Sequence, residues 1–280
     1  MNVILYVSKK IDSIEYFHQF IAQITHSMGD NVKVDIHHRS VDLSKQHTTI
    51  LHIFSTWSDT CAKLIKQAYK LQIPIVYSPL GSFQPWTLHQ RNIRNQLWQS
   101  SFQKSTLQRV SVLHAFSAIE FKTLKATGWN SKIVLIKNPI ITNDISAADA
   151  SQQIYDLYTD TIQEHDRLIR QQIDQRMKEI SGAETNIIRI CTLLLYAEYQ
   201  FRRGEILQET LAQIAGLMTS LPYNESRMVE VLQELGIKEF TARIENIAEE
   251  YSLLTEGFMP INKLNDKTTK QIRSRISKGE

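Results

Sequence analysis

The stretch that most constrains the fold runs from Ile50 to Trp86, ILHIFSTWSDTCAKLIKQAYKLQIPIVYSPLGSFQPW. Leu51, Ile53 and Phe54 make a short apolar run that stops at Ser55. Cys61, Leu64, Ile65, Ala68 and Leu71 then recur at the spacing of one helix face. After Ile73-Pro74, Ile75-Val76-Tyr77 is a second β-branched and aromatic run, closed by Ser78-Pro79-Leu80-Gly81. A strand, a crossover helix and a strand within roughly 30 residues is the signature of two parallel strands, which no tight turn can join. Ligands of such sheets sit beyond the carboxyl ends of the strands. Ser55-Thr56-Trp57 and Ser78-Pro79-Leu80-Gly81 therefore fall where a site is expected.

The same alternation extends to both sides. Asn2–Val7 reads as a first strand, and Ile14, Phe17, Ile21 and Ile24 place a helix up to Met28. Val32, Val34 and Ile36 alternate as a second strand. A polar helical pattern covers 87–109, with Leu88, Ile93, Leu97, Trp98 and Phe102 on one side. Val110–Ala115 is a further strand, Ser117 and Glu120 have capping-box spacing, and Gly128 stops the helix they begin. Ile133–Ile136 is the last strand and runs into Lys137-Asn138-Pro139. Strands alternating with helices predict a Rossmann-like α/β domain with a largely parallel sheet over residues 1–145.

After Ile145 the strand signal ends. A polar linker at 146–152 leads into a stripe, Ile154, Leu157, Tyr158, Ile162, His165, Ile169, Ile173, Met177 and Ile180, on one long helix. Ser181-Gly182 breaks it, and further helices are expected near 184–202, 205–219, 224–235 and 238–254. An all-α domain is thus predicted over 146–262, with a flexible tail rich in Lys, Thr, Arg and Ser at 263–280. No apolar run is long enough for a membrane span: the nearest, Ile187–Ala197, is short and contains Arg189. The N-terminus lacks a basic start and a cleavage site, so it reads as a strand and a cytoplasmic location is expected. Cys61 and Cys191 read as buried free thiols, with no zinc spacing around them.

Charge divides the chain in the same place. Met1–Ile145 carries 16 basic and 8 acidic residues, a net +8, whereas Ser146–Glu280 carries 16 basic and 21 acidic, a net −5. A basic first domain suits an anionic partner, whether a phosphorylated ligand or the inner face of an anionic membrane, unless the charge only solvates a surface. No dense Lys/Arg cluster is present, so nucleic acid is not expected as a partner.

Two stretches resemble the N-terminal half of GT-B-fold glycosyltransferases, particularly the retaining family 4 type. The first is His52-Ile53-Phe54-Ser55-Thr56-Trp57, Gln72-Ile73-Pro74, Ser78-Pro79-Leu80-Gly81 and Pro85-Trp86, similar to that family's strand, turn, "G-I-P" strand, "S-P-H-G" loop and "P-W". The second is Leu113 to Glu120, Leu124 to Gly128 and Ile136-Lys137-Asn138-Pro139, similar to its strand, "S-x-x-E" helix start, "L-x-x-x-G" helix end and "I-P-N-G" exit. The resemblance covers about half the chain. It implies binding of a sugar or lipid-linked acceptor, and a nucleotide sugar as donor, in surface-polysaccharide or glycolipid assembly. The chain also departs from the pattern. The family's loop histidine falls at Leu80, its glycine-rich loop after strand one is replaced by Val7-Ser8-Lys9-Lys10, and no second nucleotide-binding domain follows Asn138. Leucine cannot hydrogen-bond a sugar hydroxyl or stabilise developing charge.

The candidate substrate-binding residues are Ser8, Lys9 and Lys10, Ser55 and Trp57, Ser78 and Gly81, Trp86, Arg91 and Asn138. Ammonium groups and backbone N–H donors suit an anionic acceptor, and Trp57 and Trp86 suit stacking on a sugar or lipid head group; solvated turns and packed aromatics are the plain alternatives. Arg91 and Arg94 share a helix face, which suits phosphate or plain solvent. His52 and His114 lie in strands, where satisfied core histidines are expected rather than catalysts. No catalytic residue, metal ligand or cofactor is assigned. The competing expectation is a non-catalytic scaffold on a degenerate glycosyltransferase domain, docking a second copy or another protein through the Ile154–Ile180 stripe.

Overall fold

The computed structural model describes residues 1–29, 32–83, 101–142, 144–252 and 254–277. They form two compact units, Met1–His165 and Asp166–Glu280.

The first unit holds a six-stranded sheet of β1 (Asn2–Val7), β2 (Lys33–His37), β3 (Ile50–Phe54), β4 (Ile75–Ser78), β5 (Val112–Ala115) and β6 (Ile133–Leu135), every neighbouring pair parallel. The spatial order is β2-β1-β3-β4-β5-β6. β3, β4 and β5 are buried at every residue, because the crossover helices cover both faces. Side chains alternate between two cores along each strand. Leu5, Val7, Ile50, Phe54, Val76 and Phe116 face helix α2 (Glu15–Ser27), which follows the short helix α1 (Lys9–Asp12). Tyr6, Ile53, Tyr77 and Leu113 face α3 (Asp59–Lys70) and Leu124 of α4 (Ala118–Thr127).

Local signals set the element ends. Ser58 Oγ accepts the Cys61 N–H at 3.2 Å to start α3. Gln72, at φ 56°, then reverses the chain before Ile73-Pro74, a left-handed position without glycine. Gly128, at φ 60°, supplies the same cap after α4 at lower cost. The helical pattern expected over 87–109 lies mostly outside the described residues; 101–107 are helical.

The expected stripe at 154–180 is one uninterrupted helix, α5 (Ala147–Lys178). The boundary between units falls within it, after His165, and not near 145. The reason is packing: Ala150, Ile154, Leu157 and Tyr158 complete the core beside α2, whereas Ile169, Ile173 and Met177 belong to the helical core. The stripe is therefore spent within the chain, which removes it as an open docking face.

The second unit adds α6 (Thr185–Arg203), α7 (Gln208–Ser220), α8 (Glu225–Glu234), α9 (Lys238–Ser252) and α10 (Lys267–Arg273). The tail expected to be flexible is folded as far as it is described, to Ser277. Asp266 caps α10 in a reciprocal capping box with Thr269, and Arg243 grips the Asp266 carboxylate at 2.8–3.2 Å, holding it well below the usual carboxylate range. Ile272 is fully buried, and β8 (Ile276–Ser277) pairs with β7 (Ile206–Leu207). Composition misleads here because Asp266 and Ile272 anchor an otherwise polar segment. Among the described residues no helix is long and apolar enough to cross a membrane.

Candidate functional site

The strand order fixes where a ligand crevice opens. β2 lies on one side of β1 and β3 on the other, so the chain leaves β1 and β3 towards opposite faces of the sheet. α2, after β1, packs on one face, and α3, after β3, packs on the other. Such a switch point leaves a gap beyond the carboxyl ends of the two strands. Ser8-Lys9-Lys10 follows β1 and Ser55-Thr56-Trp57 follows β3, at the carboxyl ends of these neighbouring strands.

Ser8 stands where an N-cap serine normally accepts a helix amide. Here its carbonyl accepts the Ile11 and Asp12 N–H groups at 2.8 and 2.9 Å, while its side chain makes no capping bond. The hydroxyl oxygen is enclosed and has no partner among the described residues, although its backbone N–H is fixed to the Phe54 carbonyl at 3.1 Å. A buried hydroxyl without a partner forfeits about 1–3 kcal/mol. Lys9 and Lys10 are exposed beside it. After β3, Ser55 is buried and its hydroxyl is spent on the Thr56 carbonyl at 2.7 Å. Trp57 is half-buried, edge-on to Phe83 and Phe102 with centroids 6.0 and 6.1 Å apart, so part of its ring remains accessible.

The loop after β4 is rigidly held. Leu80 at φ 52° and Gly81 at φ 79° are successive left-handed residues, closed by Ser82 N–H donating to the Pro79 carbonyl at 3.1 Å. Leucine in that region costs roughly 1–2 kcal/mol, and its side chain packs on the α2-side core. Ser82 Oγ accepts the Trp57 N–H at 2.8 Å, tying this loop to the β3 loop. Glu120 ties it to the β5 loop: one carboxylate oxygen accepts the Gly81 N–H at 2.7 Å and the other the Phe116 N–H at 3.0 Å. The expected capping box is thus half formed, since Ser117 Oγ accepts the Glu120 N–H but the carboxylate reaches past its own cap to brace two loops. Burial pushes the Glu120 pKa up, against the two amides that pull it down. Glu120→Ala strands both amides, so urea unfolding followed by tryptophan fluorescence should show a loss of about 2–4 kcal/mol. All four tryptophans, Trp57, Trp86, Trp98 and Trp129, lie in the first unit, so this signal reports that unit alone.

Ser78 and the two strand histidines form a buried relay. Tyr158 OH lies 2.7 Å from His52 Nδ1, His52 Nε2 lies 2.9 Å from Ser78 Oγ, Ser78 Oγ lies 2.8 Å from His114 Nδ1, and His114 Nε2 lies 3.0 Å from the Ile136 carbonyl. The terminal carbonyl can only accept, which orders every proton with both rings neutral. His114 Nε2–H donates to Ile136, Ser78 O–H to His114 Nδ1, His52 Nε2–H to Ser78, and Tyr158 O–H to His52 Nδ1. All four side chains are fully buried. Burial pulls the His114 pKa down to about 4, and burial followed by the neighbouring His114 holds His52 well below its ordinary value. The relay is core, as expected for the histidines; Ser78 belongs to it and is not a surface contact.

The remaining candidates separate in the same way. The Gly81 N–H is occupied by Glu120. Asn138 is buried, its side-chain oxygen accepting the Ile140 N–H at 2.9 Å, so it shapes the β6 exit loop. Trp86 and Arg91 lie outside the described residues. The structure thus places Ser8, Lys9, Lys10 and Trp57 in the loops that follow the neighbouring strands β1 and β3, and commits the side chain of Ser55, Ser78 and Asn138 and the N–H of Gly81 to the loop and strand framework. An open cavity, about 790 Å³, lies beyond β6, lined by Leu135, Lys137, Pro139, Asp144, Ser146 and Asp149. Lys137 is paired with Asp144 and Ser146 with Asp149, so the switch point is the stronger candidate. Among the described residues no three His, Cys, Asp or Glu side chains converge as a metal site.

The fold is a doubly wound parallel α/β unit, with Lys9 and Lys10 exposed at its switch point, followed by a largely helical unit. The chain matches no family model, no curated protein and no solved structure.

Proposed function

We propose that the α/β unit is a glycosyltransferase-type acceptor domain, which binds a sugar or lipid-linked acceptor through an anionic group at the β1–β3 crevice. The observation that carries the reading is the unpartnered Ser8 hydroxyl beside the exposed Lys9 and Lys10, at the point where the sheet order reverses. An incoming phosphate or carboxylate would meet the two exposed ammonium groups, and would gain the enclosed Ser8 hydroxyl as a donor once the turn after β1 yields to it. The partly exposed Trp57 side chain offers an apolar surface to a sugar.

Titration with a panel of sugar phosphates and nucleotide sugars tests this. At least one should bind, and Lys9→Glu with Lys10→Glu should weaken it about tenfold or more, close to 1.4 kcal/mol. No binding across the panel, or binding indifferent to both lysines, removes the reading.

A second reading, binding without transfer, is favoured by one observation. Among its described residues the second unit has helices and a two-stranded sheet, and no second parallel α/β layer to hold a nucleotide donor. Leu80 also stands where a polar loop residue would serve transfer. Under this reading the chain binds acceptor but leaves nucleotide sugars intact on prolonged incubation. In surface-polysaccharide or glycolipid assembly, sugar transfer would then need a donor-binding partner chain.

A further inference from the structure

The helical unit encloses a carboxyl group that nothing else accounts for. Glu245, on α9, is fully buried, and both carboxyl oxygens lack a hydrogen-bond partner among the described residues. Native cores satisfy nearly all such groups, so an orphaned carboxyl calls for a reason. The helices packed on α9 are α7, α8 and α10, and α6 meets it at Phe201–Phe240; on α6, Arg202 is paired with Glu198 and Arg203 with Asp166. Their charged groups offer it no counter-ion. On α8, Arg227 is paired with Glu230 and Glu234. On α10, Arg273 is paired with Glu250 of α9, and neither Lys267 nor Lys270 acts on Glu245. Glu209 on α7 has no part in its ionisation. On α9 itself, Arg243 is held by Asp266 and Glu239, and Glu249 by Lys263. The titratable side chain that feels its charge is Tyr223, just before α8, whose hydroxyl donates to the Phe258 carbonyl at 3.1 Å.

We propose that Glu245 is a proton-dependent latch: the helical unit closes around the neutral carboxylic acid, and loss of that proton opens the contact of α9 with its neighbours. Carboxylic acid and carboxylate differ here by one proton only, so no other reactant is needed. An ionised Glu245 must find water or a donor, and either requires the packing around α9 to part. Burial alone pushes the group up to about 8 from an ordinary 4.5. The closed form therefore keeps a proton that the open form sheds. Closure is at full strength below about 4.5, weakens as the pH rises, and levels off above about 8.

Hydrogen exchange on the full chain reads this directly. Corrected for intrinsic rates, the opening constant of the Ile244–Ala248 amides should rise about tenfold per pH unit between roughly 5 and 8, then flatten. Glu245→Gln, which stays neutral, should abolish the rise. A flat wild-type profile, or the same rise in E245Q, overturns the proposal. Should E245Q fail to fold, the side-chain carboxyl carbon of Glu245 can be followed by NMR in the wild-type chain. A midpoint near 8 supports the latch, and one near 4.5 overturns it.

Discussion

Acidification from pH 6.5 to pH 4 should destabilise the α/β unit by about 3 kcal/mol through His114 alone, with His52 adding a loss of its own. Both rings are neutral in the folded chain because each nitrogen is committed to the relay and no water reaches it. Each unfolded histidine takes up a proton below about 6.5, so the unfolded state gains protons that the folded state refuses. Folded pKa values below the unfolded ones mean that this stability is complete above 6.5 and is lost on descending towards 4. The steepest slope, two protons, corresponds to about 2.7 kcal/mol per pH unit. Glu120 opposes the trend in part, since its raised pKa favours the folded form as acid is added. Urea unfolding followed by tryptophan fluorescence isolates the effect, because the helical unit has no tryptophan. His114→Asn should remove one proton's worth of slope. A wild-type unit equally stable at pH 6.5 and 4.5 contradicts the neutral relay.

Ser78→Ala should cost about 3–5 kcal/mol in the same assay. The Ser78 hydroxyl is both acceptor for His52 and donor for His114, so one deletion strands a buried N–H and a buried ring nitrogen. Each orphan costs roughly 1–3 kcal/mol, and the small void adds to that. Tyr158→Phe strands only His52 Nδ1 and should cost less. The double variant should fall short of the sum, because the proton order that couples the two sites is already lost. A loss below about 1 kcal/mol for Ser78→Ala would mean that the histidines find other partners.

The sequence made the sheet legible because its strands are short β-branched runs punctuated by Pro, Gly and capping Ser. Asn2–Val7 and Ile50–Phe54 coincide with β1 and β3 for that reason. The crevice was legible as strand-end loops, but not which residues line it. Ser55, Ser78, Gly81 and Asn138 looked alike from the sequence, yet Ser55 and Asn138 are consumed by near neighbours in their own loops, and Ser78 and Gly81 by partners whose position depends on sheet register. Glu120 carried a visible capping signal, while its reach to Gly81, 39 residues away, is set by β4–β5 pairing. Tyr158 read as one of a stripe of apolar positions, because nothing local says that a helix 106 residues on will meet His52. Glu245 gave no signal at all, since a glutamate among helical polar residues ordinarily faces water.

The central claim is that the β1–β3 switch point binds an anionic sugar ligand. Backbone-amide NMR of the labelled full chain, titrated with whichever sugar phosphate or nucleotide sugar binds, tests it most directly. Shifts should concentrate at Ser8–Lys10, Ser55–Trp57 and Leu80–Ser82 and should vanish with Lys9→Glu and Lys10→Glu. Shifts centred on the cavity beyond β6 or within Asp166–Glu280, or no shifts with any ligand of the panel, would contradict it.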